Sequence, residues 1–357
     1  MTALSPRTSV VSLAATLGIL ALTIYALVVG EDIIMPLVLA LLITYLVAAL
    51  GRRIQRIKVA GWQPPAWLGL TGAILLVLVF LAIVGQIVAG NIRTVVDQAP
   101  DYQVRLEALF MQGIELVTRV LHLKRQPTFD SITQEIDFTS LAGTFAVGFQ
   151  SIAASTIQVL AYATFLLLEF RTFDRKLQAL FPDQGREMVV RNTLRSMGRK
   201  IEAYVLIKTS ISLLNGVLSY IILKLFGVDF AGFWALLVFV LNFIPYIGSP
   251  LAMTFPTVLA LLQFNSWITA GLVLGSLVAV QGFVENVIEP QITGKSLNLS
   301  PVVMILSLSV WGSLWGITGM IISTPMMVII MIALAQVPKT RPLAVLMSAT
   351  GDVGQGL

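Results

Sequence analysis

The fold of this chain is decided by one stretch, which reads Leu241-Asn242-Phe243-Ile244-Pro245-Tyr246-Ile247-Gly248-Ser249-Pro250. It places two prolines, a glycine, an asparagine and a serine inside an otherwise lipid-soluble run at residues 231–262. A helix in hydrocarbon tolerates such a break only where protein or a watery cavity covers the freed backbone groups. Discontinuous helices of this kind build the sites of secondary transporters near the bilayer midplane. The break predicts such a site, with a kinked structural helix as the alternative.

The composition predicts an all-α, polytopic helical membrane protein. Of 357 residues, 57% are hydrophobic and only 11% are charged, too few for a soluble chain of this length. About 20 apolar residues cross the hydrocarbon as a helix, which predicts about eight spans, with broken or re-entrant helices in the C-terminal core. The spans are expected at residues 9–29, 33–50, 66–90, 151–170, 207–226, 231–262, 267–288 and 301–335. The second and the broken sixth span are candidates for re-entrant hairpins.

Several classes of function are excluded by the residues that the chain lacks. It has no cysteine and a single histidine, His122, so we expect no metal, no cofactor and no catalytic residues of an enzyme. Gly294-Lys295-Ser296 resembles the end of a Walker loop, but Glu289 stands where the first glycine belongs. The basic residues border apolar spans and are not interleaved with exposed aromatics, so we expect no nucleic acid as a partner.

Lysine and arginine in the short loops predict the orientation of the chain. Basic residues crowd residues 51–65, whereas Glu31 and Asp32 sit alone in the loop before the second span. Residues 171–206 carry eight basic residues against four acidic ones, and Lys339 and Arg341 lie in the tail at 336–357. We therefore expect these three segments and the N-terminus to be cytoplasmic.

The spans and loops divide the chain into six segments. These are three N-terminal spans (1–90), an extracytoplasmic amphipathic helical region (91–150), the fourth span (151–170), a basic cytoplasmic helical segment (171–206), a four-span core with helix breaks (207–335) and a cytoplasmic tail (336–357).

Apolar spacing predicts amphipathic helices in both polar regions. In the outer region they run from Tyr102 to Leu121 and from Ser131 to Asp137, as a cap, an oligomer contact or helices on the membrane surface. In the cytoplasmic segment, residues 186–202 form an apolar stripe flanked by arginines, which is typical of a helix in the interface beside anionic headgroups.

A second interruption follows the seventh span. Glu285 and Glu289 are four residues apart, so we expect them to share a helical face before Pro290 stops the helix. An ionisable residue within a span is a functional candidate because burying its charge costs several kcal/mol. Glu285 is the stronger candidate, and solvation near the outer interface is the alternative. Lys208, at a span end, is interpreted as an interfacial anchor.

The last span carries Gly312, Gly316, Gly319 and Pro325, which we assign to helix packing or to a hinge. Gly312-x-x-x-Gly316, like Gly271-x-x-x-Gly275 in the seventh span, permits close helix approach. Packing is the favoured interpretation of these glycines, and binding is the alternative.

Together these motifs resemble the autoinducer-2 exporter family of bacterial membrane proteins, over nearly the whole chain. The resemblance is carried by Asn-Phe-Ile-Pro-Tyr-Ile-Gly-Ser-Pro at 242–250, Glu-Pro-x-Ile-x-Gly-Lys-Ser-Leu-x-Leu-x-Pro at 289–301, and the glycine-rich last span that ends in Ser-Thr-Pro at 323–325. It implies a multi-pass transporter of the bacterial inner membrane, a homo-oligomer that exports a small polar solute. Some similar proteins resemble sodium(lithium)/proton antiporters.

The resulting hypothesis is that the core exports a small polar solute by alternating access across the two breaks, with a glutamate coupling export to protons. The expected transport path contains Asn242, Pro245, Gly248, Pro250, Glu285, Glu289, Pro290 and Gly294. Expected partners are the lipid bilayer, the solute, and protons or sodium. Two alternatives stay open: sodium(lithium)/proton antiport, and a non-transporting scaffold that binds partners through its polar regions.

Overall fold

The computed structural model describes residues 6–57, 64–91, 105, 138–293 and 298–353. Its helices are α1 (Pro6–Val29), α2 (Glu31–Arg56), α3 (Ala66–Asn91), α4 (Phe138–Leu180), α5 (Gln184–Phe226), α6 (Ala231–Leu241), α7 (Gly248–Phe264), α8 (Trp267–Phe283), α9 (Pro301–Gln336) and α10 (Arg341–Met347). Over these residues the chain forms no strand, only an isolated bridge between Leu299 and Ser348. The predicted all-α class is confirmed.

Length and composition make several of these helices able to cross a bilayer. Within the described ranges, five qualify: α2, α3, α5, α8 with its extension to Ile292, and α9, although α9 folds back on itself at Gly316. Shorter apolar helices lie at Leu17–Val29, Ser155–Phe170, Ala231–Leu241 and Gly248–Phe264. The chain is thus a polytopic helical membrane protein, as its composition predicts.

The break at residues 241–250 is the turn of a helical hairpin. α6 and α7 run antiparallel, because Trp234 stacks on Phe255 with ring centroids 6.3 Å apart. At the other end of the hairpin, the Asp229 amide donates to the side chain of Gln263 at 2.8 Å. α6 has 11 residues and is about 16 Å long, too short for a hydrocarbon core about 30 Å thick. The chain therefore enters α6 and leaves α7 on the same side of the hairpin. This arrangement fits the prediction of a re-entrant hairpin at residues 231–262.

The hairpin turn depends on one glycine. Gly248 lies where α7 passes the last carbonyl of α6, and a Cβ added to it would collide with the Leu241 carbonyl oxygen. Tyr246, within the turn, adopts a φ of 63°, in the left-handed region that few non-glycine residues occupy. The turn is therefore both tight and locally strained.

Residues 301–336 also fold back on themselves instead of forming the single continuous span expected at 301–335. Trp315 and Gly316 leave the helical conformation, with a φ of 57° at Gly316. The Ser307 hydroxyl donates to the Ser323 carbonyl at 3.1 Å, although the two residues would lie about 24 Å apart in a straight helix. The physical reason is the glycine at the turn, whose missing Cβ allows a positive φ.

The described residues group into two compact units. Unit 1 comprises Met1–Thr44, Gln158–Met197 and Asn298–Leu357. Unit 2 comprises Tyr45–Ile157 and Gly198–Leu297. The unit 1 core contains Trp311, Trp315 and Ile322, the unit 2 core Leu223, Val228, Ala231, Ala260, Val273 and Leu277. Unit 2 therefore holds the α6–α7 hairpin and unit 1 the α9 hairpin.

Helix is more continuous than the sequence suggested, both around residues 30–32 and between the cytoplasmic segment and the fifth span. Only Gly30 separates α1 from α2, and its amide donates to the Ala26 carbonyl as in a helix. Glu31 and Asp32, expected in a loop, lie in the first turn of α2, where acidic side chains favour the helix dipole. α4 and α5 are each 43 residues long, so the helix expected at 186–202 continues into the span at 207–226.

The outer region is described only in part. α4 begins at Phe138, inside the region expected to be extracytoplasmic. Of residues 92–137 only Arg105 is described, and its guanidinium donates to the Gln263 carbonyl at 2.9 Å. The amphipathic helices expected from Tyr102 to Leu121 and from Ser131 to Asp137 lie outside the described residues and stay predictions.

Candidate functional site

A stripe of polar side chains runs along one face of α5. Lys208, Ser212, Asn215 and Ser219 follow steps of four, three and four residues, which places them on the same side of a helix. Ser212 is 0% exposed, Asn215 1% and Ser219 3%. Sequence reasoning named only Lys208 from this set. The spacing of the three buried residues was the signal that could have found them.

The stripe meets the hairpin turn at Asn242. This residue follows α6 directly and is 2% exposed. Its Nδ2 donates to the Ser212 hydroxyl at 3.0 Å, so the turn is joined to the middle of α5. Asn215 lies about one helical turn from Ser212 on the same face of α5.

Several buried polar atoms around this contact are unsatisfied. The Oδ1 of Asn242 and both amide atoms of Asn215 have no hydrogen-bond partner among the described residues. Trp234 Nε1 lacks one as well, but it lies about 12 Å along α6 from Asn242. Leaving such a group buried without a partner costs about 1–3 kcal/mol. Buried polar groups are usually paired with protein or with an ordered water, so these two asparagines are candidates for binding.

Glu285 lies on a distorted turn that continues α8. Residues Val284–Ile288 form a π-helical turn, in which the Glu289 amide donates to the Val284 carbonyl five residues back. Such turns are frequent at functional sites. The Glu285 carboxylate accepts from the Ser249 hydroxyl at the start of α7, and from Gln281 Nε2 at 3.2 Å. In the part of the chain described, Glu285 has no ion pair.

Glu289 forms an ion pair with the polar stripe. Lys208 Nζ lies 3.0 Å and 3.4 Å from its two carboxylate oxygens. The side chains are 13% exposed for Lys208 and 27% for Glu289. Lys208 is therefore the partner of a carboxylate, and its position at the membrane interface stays a prediction. Glu285 and Glu289, expected on one face, contact different helices, α7 and α5.

The turn itself contains Pro245 and Gly248, and Pro250 follows within the first turn of α7. The Pro245 carbonyl accepts from the Ile247 amide at 2.7 Å, which holds the turn closed. Pro250 is exposed and makes none of the described polar contacts of the site. Of the predicted residues in this stretch, Asn242 is therefore the one whose side chain reaches the polar stripe.

Pro290 does not stop the helix, contrary to the expectation. Residues Glu289–Thr293 remain helical after the π-helical turn. The wider turn lies immediately before the proline, where a missing amide and a ring clash with the preceding turn would otherwise break a regular helix. Pro290 is exposed. Gly294 lies outside the described residues.

The predicted packing or hinge residues lie in unit 1, around the α9 hairpin. Gly316 provides the turn, and a Cβ on Gly319 would collide with the Trp311 carbonyl. A Cβ on Gly312 would lie 2.9 Å from the end of the Met320 side chain. Pro325 is fully buried. The pair Gly271 and Gly275 has no described atom within 4 Å of an added Cβ, so within this structure it packs against no helix.

The chemistry available at this site is that of neutral amides, hydroxyls and one carboxylate without a cation. Asparagine provides both a donor and an acceptor, and a carboxylate can take up a proton. Over the described residues, no group of three or more histidine, cysteine or acidic side chains could hold a metal ion. These groups are of the kind that hydrogen-bond a polar solute.

Polar side chains at the turn of a half-length hairpin, between apolar helices, are typical of membrane transporters. Comparison with known proteins agrees, since the family model described as "AI-2E family transporter" matches residues 17–339. The chain belongs to this family of transporters.

Several bacterial proteins are similar along most of the chain. The "AI-2 transport protein TqsA" of Escherichia coli is 29% identical over 343 residues, which cover 93% of this chain and 94% of that protein. A "Putative transport protein" of Borreliella burgdorferi is 32% identical over 270 residues, covering 73% and 70%. A protein with the same name in Haemophilus influenzae is 29% identical over 334 residues, covering 91% of each.

Proposed function

We propose that this protein exports a small polar solute by alternating access, in exchange for protons, through the site in unit 2. One observation carries the proposal: the hairpin turn, the polar stripe of α5 and the Glu285 carboxylate meet between apolar helices. A membrane protein keeps such groups only where they bind something or move charge, because each is costly in hydrocarbon. Autoinducer-2 is the first solute to test, since one similar protein is named as its transporter.

Glu285 is the residue that we propose takes up and releases the proton. Glu289 is already compensated by Lys208 at 3.0 Å, so protonating it would leave the lysine charge unpaired. Glu285 instead accepts hydrogen bonds from neutral groups, Ser249 and Gln281. A protonated carboxyl can exchange an accepted hydrogen bond for a donated one. The proton can therefore bind at Glu285 without creating a bare cation nearby.

We further propose that the chain lies in the bacterial inner membrane with both termini in the cytoplasm. The support is the excess of lysine and arginine in its short loops. A homo-oligomeric assembly, which the family resemblance implies, stays a prediction.

The experiment is flux of autoinducer-2 into inverted membrane vesicles, with and without an acidic interior. The unsubstituted protein is compared with Glu285→Gln and with a Pro245→Ala, Gly248→Leu double variant. We expect gradient-dependent uptake that each variant reduces at least tenfold. Glu169→Gln, an exposed carboxylate, serves as the matched control.

Two outcomes contradict the proposal. Full gradient-dependent uptake by Glu285→Gln removes proton coupling through this residue. Uptake no greater than in empty vesicles removes autoinducer-2 as the cargo. In that case, a sodium- or lithium-dependent pH change in the same vesicles would support antiport. Loss of function only on changes within residues 91–150 would support a scaffold.

A further inference from the structure

We infer that Asn215 and Asn242 form the solute-binding subsite, and that it takes an uncharged group bearing hydroxyls. This inference rests on the proposed transport function and assigns a residue, Asn215, that lies outside both sequence motifs. It follows from which hydrogen-bonding atoms in unit 2 are left unpaired and from how the nearby charges are compensated.

The unpaired side-chain atoms can be satisfied only by a ligand that both donates and accepts hydrogen bonds. Asn215 presents a free Nδ2 donor and a free Oδ1 acceptor, and Asn242 presents a free Oδ1 acceptor. A metal cation could use only the oxygens and would leave the Nδ2 donor unsatisfied. A hydroxyl group both donates and accepts, so one hydroxyl can pair with the Nδ2 of Asn215 and with one of the two Oδ1 atoms, and a second hydroxyl can donate to the other.

The Asn242 side chain is held in place for this role. Its Nδ2 is fixed by the Ser212 hydroxyl at 3.0 Å, and the adjacent backbone amide is anchored to the Val238 carbonyl at 3.0 Å. Its free oxygen therefore has a defined position in the absence of solute. Preorganised polar groups bind a ligand at a lower entropic cost than mobile ones.

The surrounding charges disfavour an ionic solute. Lys208 lies on α5 and Glu289 on the extension of α8. The two side chains form an ion pair and neutralise each other. Lys208, the basic residue of the polar stripe, is already paired with Glu289, and the remaining charged group at the hairpin turn is the acidic Glu285. An uncharged solute introduces no new uncompensated charge into the apolar surroundings, which is why we assign this class.

The first test compares transport with stability in Asn215→Leu, a substitution of similar size. If Asn215 binds the solute, we expect autoinducer-2 flux to fall at least tenfold while the thermal unfolding temperature rises, because an unsatisfied buried amide is removed. Ser210→Ala, on the exposed face of the same helix, is the control and should change neither. Asn215→Asp, nearly identical in shape, should also lose flux.

A structural role gives the opposite pattern. If Asn215 is paired with a buried water or packs as an ordinary core residue, Asn215→Leu will keep full flux or will lose stability and flux together. Either result overturns the inference.

The second test reads binding directly and does not depend on the cargo of the transporter. The unsubstituted protein in micelles is heated with and without ribose, an uncharged sugar. We expect ribose to protect it by raising its thermal unfolding temperature, and to give no such protection to Asn215→Leu. Ribonate and 1-amino-1-deoxyribitol, an anion and a cation of similar size, should not protect it.

The two tests separate this inference from the proposed function. Absence of autoinducer-2 flux in the unsubstituted protein, together with protection by ribose, rejects that cargo but supports the subsite. Normal flux without protection by ribose, or with equal protection by the charged compounds, overturns the subsite and leaves the transport function standing.

Discussion

The coupling energy between Lys208 and Glu289 should be far larger than that of an exposed ion pair, because each partner is costly to leave buried alone. The closest contact of the two side chains is 3.0 Å, for which Coulomb's law gives about 5 kcal/mol at an effective dielectric constant of 20. Part of this attraction is offset by the cost of removing both groups from water. Changing one partner leaves the other charge buried, so we expect Lys208→Met or Glu289→Gln alone to cost about 3 kcal/mol.

The double variant provides the decisive comparison. Lys208→Met with Glu289→Gln leaves no uncompensated charge, and we expect its free energy of unfolding to lie within about 1 kcal/mol of the unsubstituted protein. Reversible unfolding in mixed micelles, followed over all four proteins of the cycle, measures the coupling energy between the two residues.

The chain offers a matched control for this cycle. Lys176 and Glu169 also form an ion pair, but their side chains are 61% and 49% exposed. An exposed pair contributes at most about 1 kcal/mol. If the coupling energy of Lys208 with Glu289 is no larger than that of the control pair, the reasoning from burial is wrong.

Three further predictions follow from the hairpins. Gly248→Ala should destabilise the protein by about 1–3 kcal/mol, because its Cβ meets the Leu241 carbonyl, whereas Gly271→Ala, with open space around it, should not. Trp315→Phe removes the hydrogen bond to the Leu27 carbonyl at 2.9 Å and should lower the free energy of unfolding by about 1 kcal/mol. Both effects are read from thermal or denaturant unfolding. Asp229→Cys and Asn265→Cys should react with a membrane-impermeant maleimide from the same side of the membrane, and reaction from opposite sides would contradict the α6–α7 hairpin.

The sequence was sufficient to predict where the chain breaks. Proline and glycine inside an apolar run have few structural solutions in a bilayer, so the position of the turn between α6 and α7 was predictable. The direction of the chain after the break was not. A kinked span and a hairpin have the same composition, and only contacts such as that between Trp234 and Phe255 distinguish them.

The polar stripe was missed for a different physical reason. Serine in an apolar helix commonly bonds the carbonyl one turn back, as Ser210 does to Leu206 at 2.8 Å, so a lone serine carries little information. Ser212 accepts a hydrogen bond from the side-chain amide of Asn242, but the sequence alone does not distinguish it from Ser210. The pairing of Lys208 with Glu289 joins residues 81 apart in sequence, a separation that no local pattern reveals.

The effect of Pro290 was predicted wrongly because propensity was applied to one residue at a time. A proline disrupts the regular turn that precedes it, and this chain accommodates the disruption in the π-helical turn at Val284–Ile288. The same turn carries Glu285. Its carboxylate faces Ser249 on α7 and does not share a face with Glu289, contrary to the prediction from the sequence. The π-helical turn therefore both accommodates Pro290 and orients the Glu285 carboxylate.

The distribution of satisfied and unsatisfied groups in unit 2 separates structure from function. The α6–α7 hairpin is closed by backbone hydrogen bonds, such as that from the Gly248 amide to the Ile244 carbonyl at 3.1 Å, and its opposite end is joined through Gln263. The fold thus supplies partners where a broken helix needs them. Asn215 has none among the described residues, although an apolar residue of similar size would remove the cost. Sites that violate a folding rule without local compensation are where function is expected, and on this ground Asn215, rather than the prolines of the turn, is the residue to substitute first.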